Sequence, residues 1–202
     1  MSKNIGSVLK RCRALGLPLP KPRKKSNNPP GQHGAKKKRK KSSYGVQLQE
    51  KQKLMYVYGW RDKQLKRRFI KAREKKGDVF TNFMLSSVQR LDNIMLLSGL
   101  FNTLPSARQR VAHDFFLVDG RKVNIPSFQV KPNQIISVKE SKKEKFIGSE
   151  IIKKNLEKNK KIPAYLQLDK DLLNVKCIRY PTKQELEELN KEKNIDIYPI
   201  VE

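Results

Sequence analysis

An excess of positive charge is the feature that most limits how this chain can fold. Its 202 residues carry 46 Lys and Arg against 19 Asp and Glu, a formal net charge of +27. Like charges at this density oppose compaction unless a polyanion neutralises them. We therefore expect a nucleic acid as the partner, with an anionic membrane surface as the second candidate.

The charge is concentrated at the start of the chain. Residues 1–45 hold 14 Lys and Arg, no Asp or Glu, five Pro and five Gly. Segments of this composition bury too little apolar surface to fold alone. We interpret them as an extended arm that orders on RNA, with a short helix within residues 8–17. A disordered solubilising tail or a nuclear-localisation-like patch is the alternative. The RNA-binding residues expected here are Lys10, Arg11, Arg13, Lys36, Lys37, Lys38, Arg39, Lys40 and Lys41.

Several classes of protein are disfavoured by the rest of the sequence. No segment approaches the roughly 18 apolar residues that a membrane span requires, and no apolar signal-peptide run follows Met1. Cys12 and Cys177 lie far apart, so a disulfide framework is not expected. The phosphate loop GxxxxGK[ST], the fingerprint GxGxxG and the zinc motif HExxH do not occur. We therefore expect no enzyme activity and no small-molecule substrate.

Helical patterns follow the arm. The first predicted helix places Leu48, Met55 and Tyr58 near one face, and Gly59 is a typical helix stop. Thr81 is expected to cap a later helix. The segment between Gly59 and Thr81 is more basic.

A basic helix is expected between Asp62, which can cap its start, and Gly77, which can end it. The spacing of Leu65, Phe69 and Ala72 predicts one apolar face. Cations take the other faces, and the helix offers only two carboxylates to pair with them, so phosphate contact is favoured over a solvated face. The RNA-binding residues expected here are Lys63, Lys66, Arg67, Arg68, Lys71 and Arg73.

Residues 90–140 combine modest charge with a defined pattern of short elements. Two helices are expected, one ending near Gly99 and one capped by Thr103. Asp119 and Gly120 predict a hairpin, because both central residues of a type I′ turn adopt positive φ. KPNQ predicts another turn before a further strand. We expect an α+β fold in which a helix pair packs on a small, twisted antiparallel sheet.

The cations of this segment can line one surface. Arg suits phosphate recognition because its planar guanidinium bridges two phosphate oxygens. Asp92, beside Arg90, favours an internal ion pair at a helix end over acid–base chemistry. His113 can donate to a phosphate, although packing at a helix end is its commoner role. The RNA-binding residues expected here are Arg90, Arg108, Arg110, His113, Arg121, Lys122 and Lys131.

The end of the chain differs from the rest. Residues 181–202 carry more acidic than basic side chains, and Thr182 to Glu185 predict a capping box that opens a helix. This acidic helix is expected to face a basic part of the chain or a neighbouring basic protein. A solvated face is an equal alternative.

These segments resemble a known family. Residues 90–140 resemble the S-four RNA-binding domain, also called the α-L domain. Together with their flanks they are similar, in the same order, to bacterial small-subunit ribosomal protein four over essentially the whole chain. The segments that carry the resemblance are NPPGQHG at 28–34, YGVQLQEKQKL at 44–54, RLDN at 90–93, ARQRVAHDFFLVDGRKVNIPSFQVKP at 107–132 and IDIYPIVE at 195–202.

The resemblance implies a structural constituent of the small ribosomal subunit, located in cytoplasmic or organellar ribosomes. It would bind rRNA as a primary binder, nucleate assembly of the subunit body, and contribute to translational accuracy and the mRNA entry path. Its neighbour would be ribosomal protein five of the same subunit. The implied division is an arm over 1–45, a helical domain over 46–89 joined by 181–202, and an S-four domain with its extension over 90–180.

Two further expectations follow from the resemblance. Many relatives hold zinc with four Cys in the arm, whereas this arm has only Cys12, with His33 as a second candidate ligand. A structural zinc needs four ligands, so we expect no metal and no other cofactor. A free-standing RNA chaperone or translational repressor with the same domain is the alternative function.

Overall fold

The computed structural model describes residues 7–18, 28–32, 34, 41–157 and 162–197. The predicted RNA contacts from Lys36 to Lys40, and His33, lie outside these residues. The chain divides into two compact units. The first contains Met1–Phe83 and Lys183–Glu202, and the second contains Met84–Thr182.

Helices dominate the described residues, and a single sheet lies in the second unit. No helix in these ranges is long and apolar enough to cross a membrane. The strands are β1 Phe116–Val118, β2 Arg121–Lys122, β3 Ile135–Val138, β4 Leu166–Asp169 and β5 Asn174–Cys177. The helices are α1 Val8–Leu15, α2 Ser43–Tyr58, α3 Asp62–Glu74, α4 Val79–Val88, α5 Leu91–Leu97, α6 Leu104–Ala112, α7 Glu140–Ile147, α8 Glu150–Glu157 and α9 Lys183–Glu192.

Helix α2 ends at Gly59, as predicted. Ser42 caps its start by accepting a backbone hydrogen bond, and Gly59 ends it with a φ of 61°, a left-handed conformation that favours glycine. Leu54 and Tyr58 are buried, but Leu48 is 39% exposed. The predicted apolar face is therefore wrong at Leu48, because part of the buried face of α2 is polar.

The buried polar residues of α2 form what we call the polar clasp. The Lys53 Nζ lies 2.7 Å from the Glu50 carboxylate and donates to the Asn194 carbonyl at 3.0 Å. The second Glu50 oxygen accepts a hydrogen bond from the Asp196 backbone N–H at 2.9 Å. The Asn194 amide in turn donates to the Gly16 carbonyl at 2.7 Å. The clasp therefore joins the end of α1, the middle of α2 and the chain after α9.

The ends of α3 differ from the prediction. Arg61, rather than Asp62, is the N-cap, and its backbone N–H donates to the Gln64 side chain at 3.2 Å. Asp62 lies in the first turn, where its carboxylate benefits from the positive end of the helix dipole. The helix ends at Glu74, three residues before Gly77, which adopts a φ of 105°.

Asp78 rather than Thr81 caps α4. Its carboxylate accepts hydrogen bonds from the Thr81 hydroxyl at 2.7 Å and the Phe80 backbone N–H at 3.3 Å. Lys183, at the start of α9, lies 3.2 Å from the same carboxylate. The Thr81 hydrogen bond, followed by the one from Lys183, lowers the pKa of Asp78. The prediction at Thr81 is wrong because Asp78, three positions earlier, accepts the backbone N–H of Phe80 and the Thr81 hydroxyl itself.

The second unit contains a five-stranded antiparallel sheet with strand order β2-β1-β3-β5-β4. Phe116 pairs with Val138, and Ile136 pairs with Val175. Asp119 and Gly120 adopt φ values of 49° and 75°, which confirms the predicted hairpin turn. Strands β4 and β5 extend the sheet beyond the predicted part.

The helix pair α5–α6 and the sheet share one core. Thr103 caps α6 as predicted, accepting from the Ser106 N–H at 3.4 Å. The rings of Phe101, Phe116 and Phe146 pack edge to face with centroids 5.7–6.2 Å apart. Since Phe146 belongs to α7, this helix is part of the core. The predicted α+β class is confirmed, and the core residues contributed by α6 are those expected, namely Leu104, Ala107 and Val111.

The polar clasp gives a testable expectation for stability. Lys53→Met leaves the Glu50 carboxylate buried without its cation, so the free energy of unfolding should fall by about 3 kcal/mol. The double variant Glu50→Leu, Lys53→Met removes both charges and should recover part of that loss. Urea denaturation measures both values. Additive losses in the double variant would show that the two side chains are not coupled.

Candidate nucleic-acid interface

Helix α3 presents a basic surface because its apolar residues fix its orientation. Leu65 and Ala72 are 3% and 2% exposed. Residues Lys63, Arg67 and Lys71 follow one another at four-residue spacing on the opposite side, where all three are exposed. We call these three residues the α3 surface.

The other predicted cations of α3 have partners within the protein. Lys66 pairs with Asp62 at 3.1 Å. The Arg68 guanidinium lies 4.9 Å from the Trp60 ring centroid, and that of Arg73 lies 6.0 Å from the Phe69 ring. These contacts orient both arginines along the helix.

The aromatic rings of the first unit are packing residues. Trp60 is 4% exposed and stacks on Tyr58 with ring centroids 4.8 Å apart. The Phe83 ring packs edge to face with Trp60 and with Phe69, at centroid distances of 6.0 Å and 6.3 Å. A ring enclosed in this way has no free face for a base, so Trp60 is a core residue of the first unit.

The described part of the arm contains α1, which confirms the predicted short helix. Lys10 and Lys41 are exposed, whereas Arg11 and Arg13 are half-buried, and the Arg11 guanidinium lies 5.9 Å from the Tyr56 ring. No group of three or more His, Cys, Asp or Glu able to hold a metal occurs within the described residues.

Cys12 lies in the same helix and is 3% exposed. Burial raises the pKa of its thiol, and a hydrogen bond with Tyr56 partly offsets this effect. A buried thiol with a raised pKa forms little thiolate, the form that ligates metals.

A buried carboxylate organises the start of the helix pair. Asp92 is fully buried and accepts from Arg90 Nε at 2.9 Å and Nη2 at 2.6 Å, and from Arg108 Nε at 2.8 Å. The predicted ion pair at this helix end is confirmed. Arg90 is only 6% exposed, so the expectation that its side chain lines the surface is wrong. We call these three residues the Asp92 triad.

Two turns bring cations together at one end of the sheet. The Asp119 carboxylate accepts from the Ile135 N–H at 2.9 Å and the Gln134 side chain at 2.7 Å, which ties the two turns together. Arg121 and Lys131 flank these turns and are exposed. Both therefore remain available for an external anion.

A second group of cations lies where α6 ends. His113, exposed, is the C-cap of α6, and its carbonyl accepts a hydrogen bond from the Lys142 Nζ. The Arg110 guanidinium lies 4.7 Å from the Phe115 ring centroid, and Lys122 pairs with Asp114 at 2.7 Å. The sequence interpretation missed Lys142, which enters from α7, far along the chain.

Similarity to known proteins agrees with this arrangement. Residues 3–89 match the Ribosomal protein S4/S9 N-terminal domain, and residues 89–136 match the S4 domain. Small ribosomal subunit protein uS4 of Geobacillus sp. (strain WCH70) is 41% identical over an alignment that covers 98% of this chain and 99% of the relative. The chain belongs to the small ribosomal subunit protein uS4 family.

Other members of the uS4 family show the same full-length similarity. Those of Oceanobacillus iheyensis and Geobacillus stearothermophilus are 39% and 40% identical, each over 98% of this chain and 99% of the relative. The predicted family is therefore confirmed. This is a family of structural proteins rather than enzymes, which confirms the non-enzymatic prediction.

The family matches divide the basic residues between two regions. The α3 surface lies in the matched N-terminal domain. The Asp92 triad, the cations of the two turns and those at the end of α6 other than Lys142 lie in the matched S4 domain. Lys142 follows the end of the S4 match at residue 136. The uS4-type RNA-binding domain here therefore has a basic neighbour in the extension that follows it.

The Asp92 triad should be a stability determinant. Asp92→Asn leaves two arginines enclosed beside a neutral amide, and we expect a loss of about 3 kcal/mol or more in the free energy of unfolding. Asp62→Asn is the matched control, because it also removes a carboxylate with two cationic partners. Its ion pairs lie at the surface, so the denaturation midpoint should be nearly unchanged. Chemical denaturation followed by circular dichroism compares the two. Similar small shifts would rule out the buried triad.

Proposed function

We propose that this chain is a structural constituent of the small ribosomal subunit and binds rRNA through the basic arm, the α3 surface and the S4 domain. The observation that carries the proposal is full-length similarity to uS4 proteins together with exposed cations in both matched domains. Phosphate neutralisation by such cations releases counterions from RNA and favours binding.

The two regions are suited to different parts of recognition. The α3 surface presents long cationic side chains from a rigid helix, which favours contact with the phosphate backbone rather than with base edges. The S4 domain places cations on turns and helix ends held by the Asp92 triad and by Asp119. A fixed spacing of cations favours recognition of folded RNA by shape.

The finer role follows the family resemblance. We propose that the chain is a primary rRNA binder that nucleates assembly of the subunit body, contributes to translational accuracy, and lies by the mRNA entry path. The functional division would be the arm over 1–45, the helical domain over 46–89 with 181–202, and the S4 domain with its extension over 90–180. The contacts of the polar clasp support the second of these assignments.

Ribosomal protein five of the small subunit is the proposed protein neighbour. On the chain's side, α9 offers the exposed carboxylates of Glu188 and Glu192. An acidic helix on an otherwise basic protein is a poor surface for RNA and a suitable one for a basic protein.

Association with ribosomes tests the proposal directly. The chain should co-sediment with small subunits at one copy per subunit and remain bound after a wash at moderate salt. A free-standing RNA chaperone or translational repressor would instead remain largely in the unbound fraction and be present in amounts unrelated to subunit number. Quantitative mass spectrometry of gradient fractions separates the two.

The α3 surface can be tested by the salt dependence of binding. Arg67→Gln with Lys71→Gln removes two cations, so the slope of log affinity against log salt should become shallower by about 1.4–1.8. Lys170→Gln with Lys191→Gln removes the same charge from two other exposed positions and is the control. Filter binding to small-subunit rRNA gives both slopes. Equal changes in the two variants would mean that net charge alone, and no defined surface, determines binding.

A further inference from the structure

Four cations lie around Phe115 and come from three elements: two contact its ring, and two are bonded to Phe115 or to its neighbour Asp114. Arg110 belongs to the last turn of α6, Lys122 to β2, and Lys142 to α7. Lys139 is the N-cap of α7, and its backbone N–H donates to the Phe115 carbonyl at 2.8 Å. We call these four residues the Phe115 cation cluster.

The Phe115 ring holds two members of the cluster in place. It is 5% exposed, and its centroid lies 4.7 Å from the Arg110 guanidinium and 5.0 Å from the Lys142 Nζ. Lys142 is further oriented by its hydrogen bond to the His113 carbonyl. Two cations on one ring repel each other, so this arrangement favours a bound anion that interacts with both.

The cluster contains more positive charge than its own carboxylate can neutralise. Asp114 pairs with Lys122 at 2.7 Å, and that hydrogen bond, together with the nearby charges of Lys142 and Lys139, holds the pKa of Asp114 below its usual value. Among the described residues, no carboxylate forms an ion pair with Arg110, Lys139 or Lys142. Glu140, next in sequence to Lys139, pairs with Lys143 instead, at 3.6 Å.

Stabilisation of the α6 carboxyl end does not require so many cations. One cation near the last carbonyls satisfies the negative end of a helix dipole, and Lys142 provides it through His113. Arg110 and Lys139 make no such contact with the α6 carbonyls. The additional charge is therefore available to a ligand.

We propose that the Phe115 cation cluster binds an rRNA backbone phosphate, and that Lys139 and Lys142 extend the RNA-binding surface past the matched S4 domain into α7. This inference deepens the proposed function and depends on it. RNA is favoured over an acidic protein because Arg110 and Lys122 already belong to the matched RNA-binding domain. Since α7 contributes Phe146 to the core, the helix that carries the added lysines is fixed to the domain.

The test uses the full-length chain and small-subunit rRNA. Lys139→Gln with Lys142→Gln should make the slope of log affinity against log salt shallower by about 1.4–1.8. A fourfold rise in salt would then weaken the variant about tenfold less than the wild type. Lys145→Gln with Lys153→Gln, two exposed lysines on α7 and α8, should leave the slope nearly unchanged.

Two further measurements separate binding from folding. The conservative variant Lys139→Arg, Lys142→Arg keeps both charges and should retain the wild-type slope. Thermal denaturation of each variant shows whether loss of the contact between Lys142 and His113 has unfolded the domain. If the Gln variant is unstable, the salt slope of the Arg variant decides whether the cluster binds phosphate.

The possible outcomes are distinct. If the wild type does not bind rRNA, the proposed function fails together with this site. If the wild type binds and the Gln and control variants have the same slope, only the phosphate site is overturned. Unchanged binding to rRNA with loss of incorporation into subunits would assign the cluster to an acidic protein and would also overturn the proposal.

Discussion

Repulsion among 46 Lys and Arg side chains is the constraint on which the whole structure depends. With only 19 Asp and Glu, most cations have no carboxylate to pair with. The fold uses several of its scarce carboxylates in buried or partly buried positions, where one anion can organise two chain segments. The Asp92 triad and the polar clasp are the clearest cases. The remaining cations are displayed on the surface, where a polyanion can neutralise them.

Glu50 and Asp92, both buried, perform different structural tasks. Asp92 joins the start of α5 to α6 through Arg90 and Arg108, and so fixes the helix pair of the S4 domain. Glu50 joins α2 to the chain after α9, through Lys53 and directly through the Asp196 backbone. A buried ion pair contributes little to net stability but favours one packing of the chain segments over alternative packings. For the proposed recognition of folded RNA by shape, the selection of one arrangement matters more.

Local signals in the sequence predicted many of the elements correctly. Gly59, Thr103 and the pair Asp119 and Gly120 act through backbone conformations and caps that depend on neighbouring residues alone. The same reasoning predicted the ion pair of Asp92, because its partner Arg90 is two residues away. It also predicted the α+β class, since apolar spacing changes from helical to alternating after α6.

Features that depend on distant residues were not predictable in this way. Arg90 is buried where it pairs with Asp92, a carboxylate that Arg108 also binds from α6, and nothing in the local pattern distinguishes it from a surface arginine. The hairpin of β4 and β5 lacks a glycine in its turn, where Leu173 adopts a φ of 55°, so the usual signal is absent. Lys142 joins the Phe115 cation cluster only through the packing of α7. Charge in the sequence therefore indicated the class of partner, whereas the fold determines which cations are available to it.

We propose that cations of the α3 surface and of the Phe115 cation cluster face rRNA in the subunit. Lysine acetylation followed by mass spectrometry, on the free chain and on assembled small subunits, tests it most directly. Lys63, Lys71, Lys139 and Lys142 should react in the free chain and be protected in the subunit, whereas Lys145 and Lys153 should react in both. Equal protection of all six lysines, or protection of the second group alone, would contradict the claim.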